Sequence, residues 1–110
     1  MEDCLFCKIA GKKIESDIVY EDDKAIVIKD IHPQAPVHDL IISKKHISNL
    51  LDLKEDDKEL LWHLFTVVNL VARKEGVADK GFRVVINCGS AGGQVVFHLH
   101  IHILGGRSMR

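Results

Sequence analysis

Three histidines, His98, His100 and His102, occupy every second position of the stretch GGQVVFHLHIHILGGR, with Leu99, Ile101 and Ile103 between and after them. In a β-strand successive side chains point to opposite faces, so this spacing puts the imidazoles on one face and the apolar residues on the other. With a rise of about 3.3 Å per residue, neighbouring rings on that face stand roughly 6–7 Å apart at Cβ, close enough to surround a phosphate or a metal ion. Three imidazolium ions at that spacing repel one another, which favours neutral rings. A neutral imidazole serves as nucleophile, base or metal ligand. One strand histidine reads as a half-buried polar residue; three in register read as a site.

Periodicity supplies the elements that must position this row. Residues 4–11 read as a short helix ended by Gly11. Residues 17–21 and 24–29 are rich in β-branched residues and flank Asp22 and Asp23, the pattern of a hairpin. Pro33 and Pro36 fix a loop over 30–36, and 38–43 reads as a third strand. Over 55–75, Leu60, Leu61, Leu64, Phe65, Val68, Val71 and Ala72 form an apolar stripe at helical spacing. Glu55, Asp56 and Asp57 at its start, Arg73 and Lys74 near its end, and Gly76 beyond suit the helix dipole and a glycine stop. His63 reads as an ordinary boundary residue of that helix. A fourth strand over 82–88, a turn over 89–93 and a fifth strand over 95–104 complete the chain. One long and one short helix against an antiparallel sheet give an α+β fold rather than a doubly wound parallel sheet.

The 110 residues suffice for a single domain, 1–110, with one modest core. Hydrophobic content of 46% and charged content of 28% are those of an ordinary soluble globular protein. A formal net charge of −1 argues against a polyanion-binding surface, so nucleic acid is not the expected partner. No run approaches the roughly 20 apolar residues of a membrane span, and the opening MEDCLFCKIAGKK does not resemble a signal peptide. Three cysteines, an odd count, fit reduced thiols in a cytoplasmic setting.

The run from His98 to Leu104 resembles the His-φ-His-φ-His-φφ signature of the histidine-triad (HIT) superfamily. The stretches YEDDKAIVIKDIHPQAPVHDLIISKKHIS and RVVINCGSAGGQVVFHLHIHILGGR are similar to its Hint branch, the histidine-triad nucleotide-binding proteins. The resemblance covers almost the whole chain. It implies a five-stranded antiparallel sheet continued across a homodimer, and hydrolysis of purine nucleoside phosphoramidates with release of AMP. It makes His100 the nucleophile at the α-phosphorus, forming a covalent nucleotidyl-histidine that divides one difficult displacement into two easier ones. His98 and His102 then flank the phosphate as hydrogen-bond donors or proton shuttles, and His46 supports the triad. The nucleoside carries over to Asp30 for the ribose hydroxyls and to Leu5, Phe6, Ile9, Ile28 and Ile31 for the purine slot. Asn87 and Gln94 match polar positions on the phosphate side. The turn Gly92-Gly93-Gln94 lets the backbone approach phosphate oxygens closely. On residue type alone each of these apolar residues reads as core, and Asp30 as a turn residue.

This sequence departs from the branch at three places. Val95 stands where relatives often carry serine or threonine, leaving only its backbone N–H near the phosphate or leaving group. Ser43 replaces a proline usual before KKH. The sequence ends at GGRSMR, where many Hint proteins continue into a Trp- and Pro-containing tail.

Cys4 and Cys7 form a C-x-x-C pair, which by itself reads as two reduced cysteines on a short helix. A zinc site needs about four ligands. Resemblance to bacterial-type HIT proteins and to galactose-1-phosphate uridylyltransferases implies a structural zinc held by Cys4, Cys7, His46 and His98. In that arrangement His98 is a ligand rather than a proton donor. No organic cofactor is expected. Three other readings stand beside the phosphoramidase: a dinucleoside polyphosphate hydrolase of the same superfamily, a nucleotide-binding regulatory module with incidental hydrolysis, and a metal-binding protein using the histidine row itself. The Asp30 loop and glycine turn argue against the last.

Overall fold

The apolar runs sort by alternation into two sets, and a helix covers each. The computed structural model describes residues 3–109. Five strands, β1 (Ile18–Glu21), β2 (Ala25–Lys29), β3 (Val37–Ser43), β4 (Phe82–Val85) and β5 (His100–Gly105), form one antiparallel sheet in the order β1-β2-β3-β5-β4. Helix α1 (Leu5–Ala10) buries Phe6 and Ile9 against Ile26, Ile28, Leu40 and Ile42 of β2 and β3. Helix α2 (Lys58–Lys74) buries Leu64, Val67, Val68 and Val71 on the other face, against Val27, Ile41, Ile101 and Ile103. Strand β2 is apolar from Ala25 to Ile28 because it is covered on both faces. The alternation of β5 therefore turns Ile101 and Ile103 to the α2 core and His100 and His102 to the α1 side.

The fifth strand is shorter than the alternation predicts. It begins at His100, which pairs with Ile42, and residues 95–99 are irregular. Strand β3 ends one residue later at Ser43, so a ladder has no partner to continue on; the Leu99 N–H bonds instead to the Ile47 carbonyl at 2.6 Å. Two of the three imidazoles, not three, lie on the strand. Strand β4 likewise stops at Val85 rather than 88, releasing Asn87 into a loop.

The long helix begins at Lys58, after a 3₁₀ turn over Glu55–Asp57. Val67 joins its buried stripe, while Phe65 is 36% exposed because it lies about 100° round the helix from Leu64. His63 does more than mark a boundary. Its Nε2–H donates to Asp22 Oδ2 at 2.7 Å, tying α2 to the hairpin turn that Asp22 organises through the N–H groups of Lys24 and Ala25. After β5 the chain turns tightly: a Cβ on Gly105 would stand 2.9 Å from Val77 Cγ1, and Gly106 has φ +91 with Pro36 equally close.

Candidate active site

On the α1 side of the sheet lies a cavity of about 580 Å³, within the range of small-molecule sites. Helix α1 supplies Leu5, Phe6 and Ile9 to its wall, and the end of β2 with the following loop supplies Ile28, Asp30 and Ile31. Asn87, Gly93 and Val95 line it from the β4–β5 connection, and His100 and His102 from β5. Ile31 and Val95 stand at the rim, 85% and 86% exposed.

Gln94 does not join them. It is buried, its Oε1 accepts from Gly89 N–H at 2.8 Å, and its Nε2 donates to the carbonyls of Ser48 and Val96. Its side chain serves as a staple for the loop, which corrects the expectation of a phosphate contact. Gly93, in the left-handed region at φ +90, packs against the Asn87 side chain.

The imidazoles are ordered by their hydrogen bonds, and backbone partners fix the tautomers. His100 Nδ1–H donates to the His98 carbonyl at 2.7 Å, which leaves Nε2 with a free lone pair. The Gln34 N–H donates to His38 Nδ1 at 3.1 Å, so His38 carries its proton on Nε2. That Nε2–H reaches His102 Nδ1 at 3.0 Å and Asp30 Oδ2 at 3.4 Å. His102 accepts on Nδ1 and therefore carries hydrogen on Nε2, a buried atom with no partner among the described residues. His38 Nε2–H thus donates to His102, with Asp30 Oδ2 3.4 Å from the same nitrogen, which as a donor is not free to ligate a metal.

All three triad rings are held neutral. Burial lowers His98 and His100 below the usual imidazole value. Burial first, then the neighbouring His100 and His38, lowers His102 to about 4. Phe6 meets the His100 ring edge-on, at 4.9 Å between centroids.

His98 and His46 stand apart from this cavity. His98 Nε2–H donates to the Ser43 carbonyl at 2.6 Å, leaving Nδ1 as a lone pair. That Nδ1 lies 3.2 Å from Cys4 Sγ, 3.5 Å from Cys7 Sγ and 3.1 Å from His46 Nδ1. All four donor atoms lie within 4.8 Å of one another. Two thiols, two imidazole nitrogens and a backbone carbonyl orienting one ring match the donor set and outer-shell pattern of a zinc centre. Burial, and then contact with Cys4, pushes the Cys7 thiol above its usual value. His46, expected both to support the triad and to join Cys4 and Cys7 as a zinc ligand, is a member of this cluster, 3.1 Å from the triad residue His98. Besides His100 and His102, His32 and His38 line the cavity; sequence reading assigned His38 only to a strand. Its signal was its place on the same face as Leu40, directly after the loop that carries Asp30.

Comparison with known proteins agrees with this geometry. The family described as "Scavenger mRNA decapping enzyme C-term binding" matches residues 3–109. A HIT-like protein of Synechococcus elongatus is 52% identical over 108 residues, covering 98% of this chain and 94% of the relative. A HIT family hydrolase from Legionella pneumophila superposes with a TM-score of 0.97 at 47% identity, covering 98% of this chain and 96% of that one. A histidine triad protein from Clostridium difficile also gives 0.97, at 44% identity, over 100% of this chain and 96% of its own.

Proposed function

The chain belongs to the histidine-triad (HIT) superfamily, and from that premise we propose that it is a nucleotidyl hydrolase of the Hint type, acting on purine nucleoside phosphoramidates. The observation that carries this reading is the His100 tautomer. With Nδ1–H donated to the His98 carbonyl, Nε2 is the nucleophilic nitrogen of a neutral ring lining the cavity. Nε2 attacks the α-phosphorus, the new P–N bond forming as the bond to the leaving amine breaks. Water then attacks the same phosphorus, the bond to His100 breaks, and the nucleoside monophosphate departs.

His102 offers its Nε2–H to a phosphoryl oxygen. A phosphate anion beside it favours the imidazolium, from which the amine takes its proton. Asp30, with Oδ1 already accepting the His32 N–H at 2.8 Å, retains acceptor capacity for ribose hydroxyls. Leu5, Phe6, Ile9, Ile28 and Ile31 form an apolar slot suited to a purine, while Asn87 and the Gly93 backbone take the phosphate side.

Cys4, Cys7, His46 and His98 would hold a zinc ion, whose contribution is a structural cross-link. These residues brace His98, and the His98 carbonyl orients the nucleophile. The three free thiols agree with a cytoplasmic setting. Among the described residues no helix is long and apolar enough to cross a membrane. A homodimer joined along β4 is part of the reading. Strand β4 lies at the sheet edge and exposes Val84, and α2 exposes Phe65 and Leu70.

A second reading, a dinucleoside polyphosphate hydrolase, draws support from the decapping-enzyme family that matches the chain and from the apolar Val95 at the rim. Turnover of a fluorogenic adenosine phosphoramidate beside a diadenosine polyphosphate separates the two. We expect the phosphoramidate to be the better substrate, with a dimer in sedimentation of the same sample. Preference for the dinucleotide supports the second reading. AMP binding without turnover of either points to a regulatory module, and a monomer removes the dimer from the account.

A further inference from the structure

The C-x-x-C pair frames part of the cavity wall. Leu5 and Phe6 are the two residues between Cys4 and Cys7, and both line the cavity read above as a nucleotide site. Phe6 also packs edge-on against the triad, its ring centroid 4.9 Å from that of His100 and 6.0 Å from that of His98. Cys4 is the N-cap of α1, and its Sγ accepts the Cys7 N–H at 3.4 Å. The same turn brings both sulfurs to one atom, His98 Nδ1, at 3.2 Å for Cys4 and 3.5 Å for Cys7. The two sulfurs lie within 4.8 Å of each other. Both cysteines are free and half-buried, so a small oxidant in solution reaches them. Cys88, the third cysteine, stands outside this cluster.

We propose that Cys4 and Cys7 form a thiol–disulfide switch on the nucleotide slot, open when reduced and impaired when oxidised. The inference rests on the reading of the cavity as a nucleotide site. Residues three apart on a helical turn stand about 5–6 Å apart at Cβ, whereas a disulfide brings its Cβ atoms to about 3.5–4.5 Å. The bond is thus within reach of this turn but tightens it. Leu5 and Phe6, the only other residues in the closed ring, move with it. The thiolate of one cysteine attacks a small disulfide such as glutathione disulfide, forming a mixed disulfide and expelling one thiol; the second cysteine then displaces the other. The pair is oxidised by loss of two electrons and two protons, and the small disulfide departs reduced as two thiols. The product offers no thiolate to a metal, so only His46 and His98 of the four donors remain. Phe6 carries the change to His100, against which it packs.

The test is a redox cycle on the full chain, with glutathione disulfide and then with dithiothreitol and zinc, following peptide mapping, zinc release and AMP affinity at each stage. A Cys4–Cys7 disulfide should form with release of any bound zinc. AMP should then bind roughly 5-fold or more weakly, a usual size of coupling between two sites, and reduction should restore its affinity. Reduced protein stripped of zinc by a chelator should bind AMP more tightly than the oxidised protein, which separates the disulfide from mere loss of metal. Cys88→Ser should respond as wild type does, while Cys7→Ser, which cannot close the ring, should keep one AMP affinity throughout. The wild-type cycle carries the test even if Cys7→Ser fails to fold. Failure of the reduced protein to bind AMP refutes the nucleotide site itself, and the switch with it. Four results overturn the switch alone: no Cys4–Cys7 disulfide after oxidation, an AMP affinity unchanged once it has formed, equal affinities in the oxidised and the zinc-stripped reduced protein, or an equal response in Cys7→Ser.

Discussion

His102 is defined by what surrounds it. Its Nδ1 accepts from His38 and its Nε2–H has no partner among the described residues, and burial with two histidine neighbours keeps it neutral down to about pH 4. Free His102 should thus titrate near 4 in an NMR experiment, and AMP should raise that midpoint, because the phosphate favours the imidazolium. The same shift predicts acid instability. A histidine lowered on folding stabilises fully above its unfolded value near 6.5, and that stability is lost as pH falls from there toward 4. A midpoint at 6.5 or above in the free protein contradicts this account of the site. The shared face of His100 and His102 was legible in the alternation itself. The roles of His38 and Gln94 were not. Histidine before an apolar run carries no signal of which ring it will meet across a sheet, and a glutamine that staples a loop looks in sequence like one that binds a ligand.

Among the elements, the cysteine–histidine cluster joins three that are distant in sequence: Cys4 and Cys7 from the start of α1, His46 from the segment after β3, and His98 from the irregular stretch before β5. A metal at this junction would cross-link them and so hold the His98 carbonyl against His100. Protein purified without added zinc should carry close to one equivalent, and chelation should lower the unfolding midpoint. Cys7→Ser should do the same while leaving the cavity-lining residues in place. Metal content well below one equivalent, with no response of stability to chelator, contradicts it. The C-x-x-C spacing alone did not reveal this centre, since two of its donors lie 39 and 52 residues or more apart along the chain. The strand that was expected to carry all three histidines begins only at His100 because β3 stops at Ser43, and pairing length is a property of the neighbour rather than of the strand's own sequence.

The whole molecule is a two-sided sheet with unequal duties. Its α2 face is a conventional apolar core, and its α1 face combines a second, smaller apolar cluster with the imidazoles and the nucleotide-sized cavity. This division was readable in advance: the period-2 pattern of β5 and the 3.6-residue stripe of α2 specify which faces meet. Two titrations of opposite sign act across it. His102 on the α1 face, lowered by burial to about 4, loses stability as pH falls from 6.5, and Asp39 on the α2 face, raised by burial to about 7, loses it as pH rises from 3.8, so the two oppose each other over the range they share. The central claim about the molecule is that its chemistry passes through a bond to one nitrogen. The most direct test is rapid quench, in alkaline denaturant that spares the acid-labile P–N bond to histidine, of the enzyme turning over an adenosine phosphoramidate, followed by intact-mass analysis and mapping of the modified peptide without acid. The account predicts an adenylyl group on His100, absent in His100→Ala and His100→Gly, both of which should lose roughly 10³-fold or more in activity. Wild-type turnover with no adduct at any time, or an adduct that persists elsewhere in the His100 variants with activity intact, would contradict it.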